Sequence, residues 1–142
     1  MTEQKDFIFP KGFLWGASTA AHQVEGNTTN DRSEWEKSEK PVYITENGLA
    51  DAGDVKRPWF IVETLKRVHR AIENGVDVRG YLHWSLMDNF EWGEGFWPRF
   101  GLVEIDYKTL ERKMRPSAYL YRDICLHNGV MEKLVEKYKN LL

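Results

Sequence analysis

One glutamate of this sequence lies where a protein with a parallel sheet would place a catalytic carboxylate. The run Pro41 to Thr45 is β-branched and aromatic, and Glu46 follows it directly, before the turn-forming pair Asn47-Gly48. This pattern predicts a buried strand that ends in a sharp turn. Because α/β barrels collect catalytic groups at the carboxyl ends of their strands, Glu46 is a candidate catalytic residue. The alternative is a glutamate that only accepts hydrogen bonds within the turn.

A second segment places aromatic rings among polar groups, glycines and a proline. Its rings belong to Trp84, Phe90, Trp92, Phe96, Trp97 and Phe100. Gly93, Gly95, Pro98 and Gly101 interrupt regular structure there, so the segment is predicted to be a loop. Aromatic faces suit the apolar C–H faces of sugars and of flat ligands, although ordinary core packing would also use such rings.

Four further polar residues beside these segments are interpreted as structural. His22 and His83 have no carboxylate partner that the sequence can assign, so we expect satisfied hydrogen-bond donors near strand ends. Asp88 and Asn89 are predicted to shape a turn, because their short side chains hydrogen-bond nearby backbone groups.

The first half of the chain supplies the elements that would position Glu46. Within Phe7 to Ala21, a first strand is predicted at Phe13 to Ser18, after Pro10 and Gly12, and a polar connection follows over Glu25 to Lys40. Apolar residues at helical spacing predict a helix that begins near Pro58 and ends before Gly75. Val78 to Trp84 then has the pattern of another buried strand, which makes a βαβ unit with parallel strands.

The second half is predicted to be less regular. Glu91 to Tyr107 is irregular and contains a short hairpin, and a helix begins at Pro116-Ser117 and runs through Cys125. Asn128-Gly129 interrupts this helix, and Val130 to Leu142 is predicted to be a second amphipathic helical piece.

Composition excludes several classes of function. The 142 residues, 42% of them hydrophobic, predict one globular domain, and the net charge of -2 offers no basic field for nucleic acid. Cys125 is the single cysteine, and the histidines have no companions at metal-ligand spacing, so neither a metal nor another cofactor is expected. No apolar stretch approaches a membrane span or a signal peptide, which predicts no membrane partner and a cytoplasmic location.

Three motifs resemble those of family 1 glycoside hydrolases, in the family's order. Lys40 to Gly48 is similar to the nucleophile motif, and Trp84 to Trp92, followed by Arg99 to Leu102, is similar to the sugar-binding segment. Phe13 to Gly26 resembles the family's opening strand. The resemblance implies a retaining β-glycosidase of β-glucosides or β-galactosides, built on a (β/α)8 barrel.

The resemblance also implies a role for each matching residue. Glu46 would be the nucleophile that forms a covalent glycosyl-enzyme intermediate. Trp84 would be the platform under the sugar ring and Phe100 part of the wall beside it. The residues expected to hydrogen-bond the sugar hydroxyls are Gln23, Glu91 and Trp92.

The sequence departs from the family pattern at the second catalytic carboxylate. The family's acid/base glutamate lies in a Thr-Asn-Glu-Pro-like motif, and no Asn-Glu-Pro occurs in this sequence. A complete barrel takes about 250 residues, and the matching pieces correspond to strands 1, 7 and 8. We therefore expect an α/β fold that is a partial barrel, a single truncated domain over 1–142 with a first-strand segment at 1–38 and the remainder at 39–142.

Three functions follow as alternatives. The chain is a β-glycosidase by family whose own activity is impaired, a sugar-binding remnant without turnover, or a deletion product with no function. Open sheet edges and an uncovered inner face also predict self-association.

Overall fold

The computed structural model describes residues 6–18 and 41–139, so Gln23 and His22 lie outside the described residues. The helices and strands are β1 (Phe7–Ile8), β2 (Leu14–Ser18), β3 (Val42–Asn47), α1 (Arg57–Glu73), β4 (Val78–Trp84), β5 (Val103–Ile105), β6 (Arg112–Met114), α2 (Pro116–His127), β7 (Gly129–Val130) and α3 (Glu132–Tyr138). A short 3-10 helix, Trp92–Glu94, lies in the loop between β4 and β5.

The central feature is a sheet of three parallel strands in the order β2, β4, β3. Strand β4, the last of these three along the chain, therefore lies between β2 and β3. This agrees with the prediction of parallel strands, and β3, α1 and β4 form the predicted βαβ unit. All three strands end at the same edge, which brings the motif residues at their carboxyl ends together.

The two faces of the sheet have different environments. Tyr81 and His83 of β4 are completely buried, and Tyr81 belongs to the core formed with the helices. On the other face, a Cβ atom added to Gly80 would lie 2.9 Å from the Tyr43 ring and 3.2 Å from the Leu14 Cβ. Leu14 and Tyr43 are 55% and 44% exposed, so this face is apolar but uncovered among the described residues.

Helix α1 covers the buried face of the sheet. Its buried apolar side chains recur at helical spacing and are Ile61, Val62, Leu65 and Val68. Full burial of such a side chain stabilises the fold by about 1.5–3 kcal/mol. Proline lies in the first turn, and Gly75 has a positive φ of 90° just beyond the helix, as the sequence predicted.

Helix α2 contacts two strands of the sheet through the hydroxyl group of Tyr121. Tyr121 donates to the backbone carbonyl of Gly16 on β2 at 2.7 Å and lies 3.2 Å from that of Tyr81 on β4. Burial, the first of several causes, raises the pKa of the Tyr121 hydroxyl, so it remains a donor.

The predicted first strand at Phe13 to Ser18 is β2, and the structure adds the earlier strand β1. Pro10 and Gly12, whose φ is 85°, separate β1 from β2, and β1 pairs antiparallel with β7. The final amphipathic helix consequently begins at Glu132 rather than Val130, because Gly129–Val130 pairs with Phe7–Ile8. The hairpin is β5 and β6, and it extends beyond the predicted limit at Tyr107.

Candidate functional site

Glu46 lies near the carboxyl end of β3, as predicted, and a β-bulge sets its direction. The strand differs from the prediction because it includes Asn47 and none of its residues is buried. Ile44 pairs with Tyr81 and Asn47 pairs with His83, so Thr45 and Glu46 together oppose one residue of β4. The alternation of exposure breaks here, because Thr45 and Glu46 are both exposed. A bulge of this kind re-aims a side chain at the end of a strand. Glu46 therefore presents its carboxylate at the rim of the sheet.

The residues after Glu46 bind the end of β3 to the end of β4. The Tyr81 hydroxyl donates to the Asn47 Oδ1 at 3.0 Å. A Cβ atom added to Gly48 would lie 1.7 Å from the backbone oxygen of Trp84, so only glycine permits this approach. The Glu-Asn-Gly sequence thus packs directly against the start of the aromatic segment.

Trp84 and Glu91 form the polar centre of the site. The Trp84 indole Nε1 donates to the Glu91 Oε1 at 3.0 Å, and Trp84 is only 8% exposed. Burial raises the pKa of Glu91, and the negative charge of Glu46 raises it further, against the opposing effect of the Trp84 hydrogen bond. Gly48, two residues after Glu46, contacts the backbone oxygen of Trp84, and the Trp84 indole binds Glu91, so the ends of β3 and β4 bring Glu46 and Glu91 to one edge of the sheet.

Two other predicted residues flank this centre. Trp92 is 53% exposed and has a positive φ of 49°, so its ring stands out at the start of the 3-10 helix. Phe100 is half-buried, and its backbone oxygen accepts from the Ser85 N–H at 3.3 Å, directly after Trp84. The peptide bond between Trp84 and Ser85 is cis.

A buried ion pair holds the aromatic loop in place. Asp88 accepts from both Nη atoms of Arg115, at 3.0 Å each, and from the backbone N–H of Gly101 at 2.9 Å. Burial by itself would raise the pKa of Asp88, but the Arg115 hydrogen bonds and charge and the backbone donors lower it overall. The predicted turn-shaping role is confirmed for Asn89, whose Nδ2 donates to the Met87 carbonyl at 3.1 Å, but it is wrong for Asp88, whose partners are all distant in sequence.

A second buried cation supports the loop after Glu46. Arg57 pairs with Asp54, and its Nη2 donates to the carbonyls of Asp51 and Arg99 at 2.6 Å each. Asp54 also accepts from the backbone N–H of Ser117, which connects this loop to the start of α2. Asp51, Asp54 and Arg57 were not identified from the sequence. Their spacing just ahead of a helix was the signal that could have predicted the ion pair.

The family comparison agrees with the motifs. The family model described as glycosyl hydrolase family 1 matches residues 5–37 and 32–130. The chain belongs to this family. A β-galactosidase of Sulfolobus acidocaldarius is 52% identical over 100 residues, covering 70% of this chain and 20% of that relative. A 1,4-β-D-glucan glucohydrolase of Thermotoga neapolitana is 41% identical over 106 residues, covering 68% of this chain and 24% of that relative.

A solved structure of the family also matches the fold. The β-glycosidase from Pyrococcus horikoshii superposes with a TM-score of 0.71 at 51% identity, over 75% of this chain and 25% of that one. The chain is therefore an α/β part of a family 1 glycosidase and spans about a fifth to a quarter of these relatives.

His83 corrects one prediction for this family 1 chain. It is completely buried on the helix side of β4, but neither ring nitrogen hydrogen-bonds a residue that the structure describes. Burial, with a smaller effect of the Arg57 charge, lowers the pKa of His83 to about 3. His83 is therefore a neutral core residue beside the Tyr121 ring and not the satisfied donor that we expected.

Over residues 6–18 and 41–139, no group of three or more His, Cys, Asp or Glu side chains could hold a metal ion. In the same ranges, every helix is too short or too polar to cross a bilayer.

Proposed function

We propose that this chain carries the nucleophile side of a retaining β-glycosidase site, with Glu46 as the nucleophile. The observation that carries the proposal is the convergence of Glu46, Trp84 and Glu91 at one edge of the sheet. We also propose that β2, β3 and β4 correspond to strands 1, 7 and 8 of the family's barrel. Their order, with β4 in the middle, supports this correspondence because strand 8 of a closed barrel lies between strands 7 and 1.

In this mechanism a Glu46 carboxylate oxygen attacks the anomeric carbon. The new C–O bond forms as the bond to the leaving oxygen breaks, and the leaving group takes the bonding electron pair. A retaining enzyme has a second carboxyl group about 5 Å away that protonates this oxygen. The sequence has no counterpart of the family's acid/base motif, so we expect attack only on substrates whose leaving group departs without protonation.

The sugar-binding residues would act around this attack. Glu91 accepts from sugar hydroxyls, the indole of Trp92 adds a donor, and Trp84 and Phe100 supply apolar surface. Gln23 offers a donor and an acceptor as a further proposed partner. The substrate class is that of β-glucosides and β-galactosides.

The test of the nucleophile uses an activated fluorosugar. Incubation with an aryl or fluoro 2-deoxy-2-fluoro-β-glucoside should give slow single-turnover labelling, and mass spectrometry should locate the label on Glu46. Glu46→Gln should abolish the labelling, whereas Glu104→Gln on β5 should leave it unchanged. Labelling elsewhere, or none, would contradict the proposal.

The isolated chain should show no measurable hydrolysis of cellobiose. A positioned general acid contributes about 10²–10⁴ in rate, and the sequence offers no assigned group for this step. Steady turnover of cellobiose that is lost in Glu46→Gln would show that another carboxyl group supplies the proton.

A sugar-binding protein without turnover is the second candidate. This candidate is favoured because the sequence has the residues proposed to bind the sugar but lacks the family's acid/base motif. Calorimetry with glucose or cellobiose, together with the labelling experiment, separates the candidates. Binding without labelling supports the sugar-binding protein, and the absence of both supports a deletion product without function.

A further inference from the structure

A second tryptophan–glutamate pair lies in the loop beyond the proposed site. The Trp97 Nε1 donates to the Glu94 Oε2 at 2.9 Å, which repeats the 3.0 Å bond between Trp84 and Glu91. The two pairs differ in exposure, because Trp97 is 70% exposed whereas Trp84 is buried. The outer pair therefore presents its indole face to solvent.

The backbone on both sides of Trp97 is anchored. Phe96 packs against Phe90 and Tyr107, with ring centroids 5.2 and 4.8 Å apart, and Pro98 is buried. The Phe96 ring is itself 53% exposed, so its two ring contacts and the buried Pro98 position the backbone beside Trp97 without drawing Trp97 into the core.

Glu94 is held by a compact turn. It closes the 3-10 helix Trp92–Glu94, and the Glu91 N–H donates to the Gly95 carbonyl at 2.7 Å. The Glu94 N–H donates in turn to the Glu91 carbonyl at 2.9 Å, so the two glutamates share one turn. The outer pair is thus continuous with the inner one.

Core packing does not account for this arrangement. A tryptophan that is mostly exposed forgoes most of the stabilisation that burial of its ring would bring. The Glu94 hydrogen bond orients the indole, and its Oε1 accepts from none of the residues that the structure describes. An oriented aromatic face beside an available acceptor is the arrangement that binds a pyranose ring.

We propose that Trp97 and Glu94 form a second sugar platform, which binds a further ring of a β-1,4-linked gluco-oligosaccharide whose first ring occupies the Trp84–Glu91 site. The inference rests on the proposed function for that first ring. The Trp97 face covers the C–H face of the outer ring, and the Glu94 Oε1 accepts from one of its hydroxyls. The exposed ring of Trp92 lies between the two pairs in sequence. The relative from Thermotoga neapolitana named as a 1,4-β-D-glucan glucohydrolase supports this choice of ligand.

The test follows the indole N–H signals of the protein's six tryptophans by NMR during titration with glucose and with cellotetraose. Trp97→Phe removes one signal and so assigns it. Glucose should shift the signals of Trp84 or Trp92 alone, whereas cellotetraose should also shift that of Trp97. Trp97→Ala should weaken cellotetraose binding about three- to tenfold and leave glucose binding unchanged, since an aromatic contact contributes modestly.

Tyr119→Ala is the matched control, because Tyr119 is an exposed aromatic residue on α2. It should change neither affinity. If glucose binds but cellotetraose leaves the Trp97 signal unshifted and binds the parent protein and Trp97→Ala with equal affinity, the second platform is overturned and the proposed site stands. Failure of both sugars to bind would contradict the proposed site and this inference with it. A shift of the Trp97 signal alone would mean that sugar binds at the outer pair without a first ring at the Trp84–Glu91 site, which would overturn the proposal that one oligosaccharide spans both.

Discussion

At the scale of residues, the charge of Glu91 opposes folding at neutral pH. Its pKa is raised by burial and by the charge of Glu46, so the folded protein binds this proton more tightly than the unfolded chain does. The contribution of Glu91 to the free energy of unfolding is fully present below the unfolded pKa of about 4.3. It is lost as the pH rises through the pKa of Glu91 in the folded protein. The proposed site therefore carries a cost in stability at neutral pH.

The matching prediction concerns Glu91→Gln, which removes the charge but keeps an oxygen for the Trp84 N–H. The variant should have a higher Tm than the parent protein at pH 7, and the difference should fade below about pH 4, where Glu91 is protonated in both states. Thermal unfolding followed across this range checks it. Glu104→Gln is the control, and a constant Tm difference at every pH would contradict the electrostatic cause.

Glu91 also predicts the kind of sugar bound. A carboxylate that faces the sugar hydroxyls would repel a 6-phosphate, so glucose should bind more tightly than glucose 6-phosphate. Calorimetry at two salt concentrations measures the affinities for the two sugars. Salt should narrow the difference between these affinities because it screens the repulsion between Glu91 and the phosphate. Tighter binding of the phosphate would show that Glu91 does not face the sugar.

At the scale of elements, the aromatic loop depends on the pair formed by Asp88 and Arg115. Asp88→Asn leaves the Arg115 charge buried without its partner, so unfolding should become easier by about 3–5 kcal/mol. Denaturant unfolding at pH 7 measures this change. Asp123→Asn is the control, because the Asp123–Arg122 pair is exposed, and it should cost about 0–1 kcal/mol.

The Asp88–Arg115 pair stabilises the protein more at higher pH, whereas Glu91 does so at lower pH. The pKa of Asp88 is lowered in the folded state, so its contribution is present above the unfolded pKa of about 3.9. It is lost as the pH falls through the lower folded pKa. The parent protein should therefore lose stability in strong acid more steeply than Asp88→Asn does.

At the scale of the whole molecule, we expect self-association through the uncovered sheet. Strands β2 and β3 form the edges of the three-stranded sheet, and Leu14 and Tyr43 expose apolar surface on one face. Light scattering should detect species larger than one chain, with a fraction that rises with concentration. Tyr43→Lys should shift the distribution toward the monomer, because a charge on that face opposes pairing.

Leu126→Lys is the control for this prediction, because Leu126 is exposed on α2, away from the sheet. It should leave the distribution unchanged. A parent protein that is a monodisperse monomer, with sharp thermal unfolding, would contradict the expectation and would mean that the remaining elements cover the apolar face of the sheet.

Local pattern was enough for the elements that carry the site. The run Val78 to Trp84 and the helix ahead of it have strong periodicity with clear end signals, and both were predicted closely. Glu46 was placed near a strand end because Asn47-Gly48 follows a β-branched run, although β3 includes Asn47 and the turn comes later, at 52–53. These features depend on neighbours in sequence, so sequence alone determined them.

Tertiary structure decided the contacts between distant residues. The β1–β7 pairing, the Asp88–Arg115 ion pair and the bond from Trp15 Nε1 to Asn128 join segments whose sequences carry no mark of one another. The neutral state of His83 likewise depends on burial, which a residue name does not reveal. The sequence by itself therefore determined which chemical groups stand at the ends of the strands, whereas packing decided which of those groups meet and how strongly their charges interact.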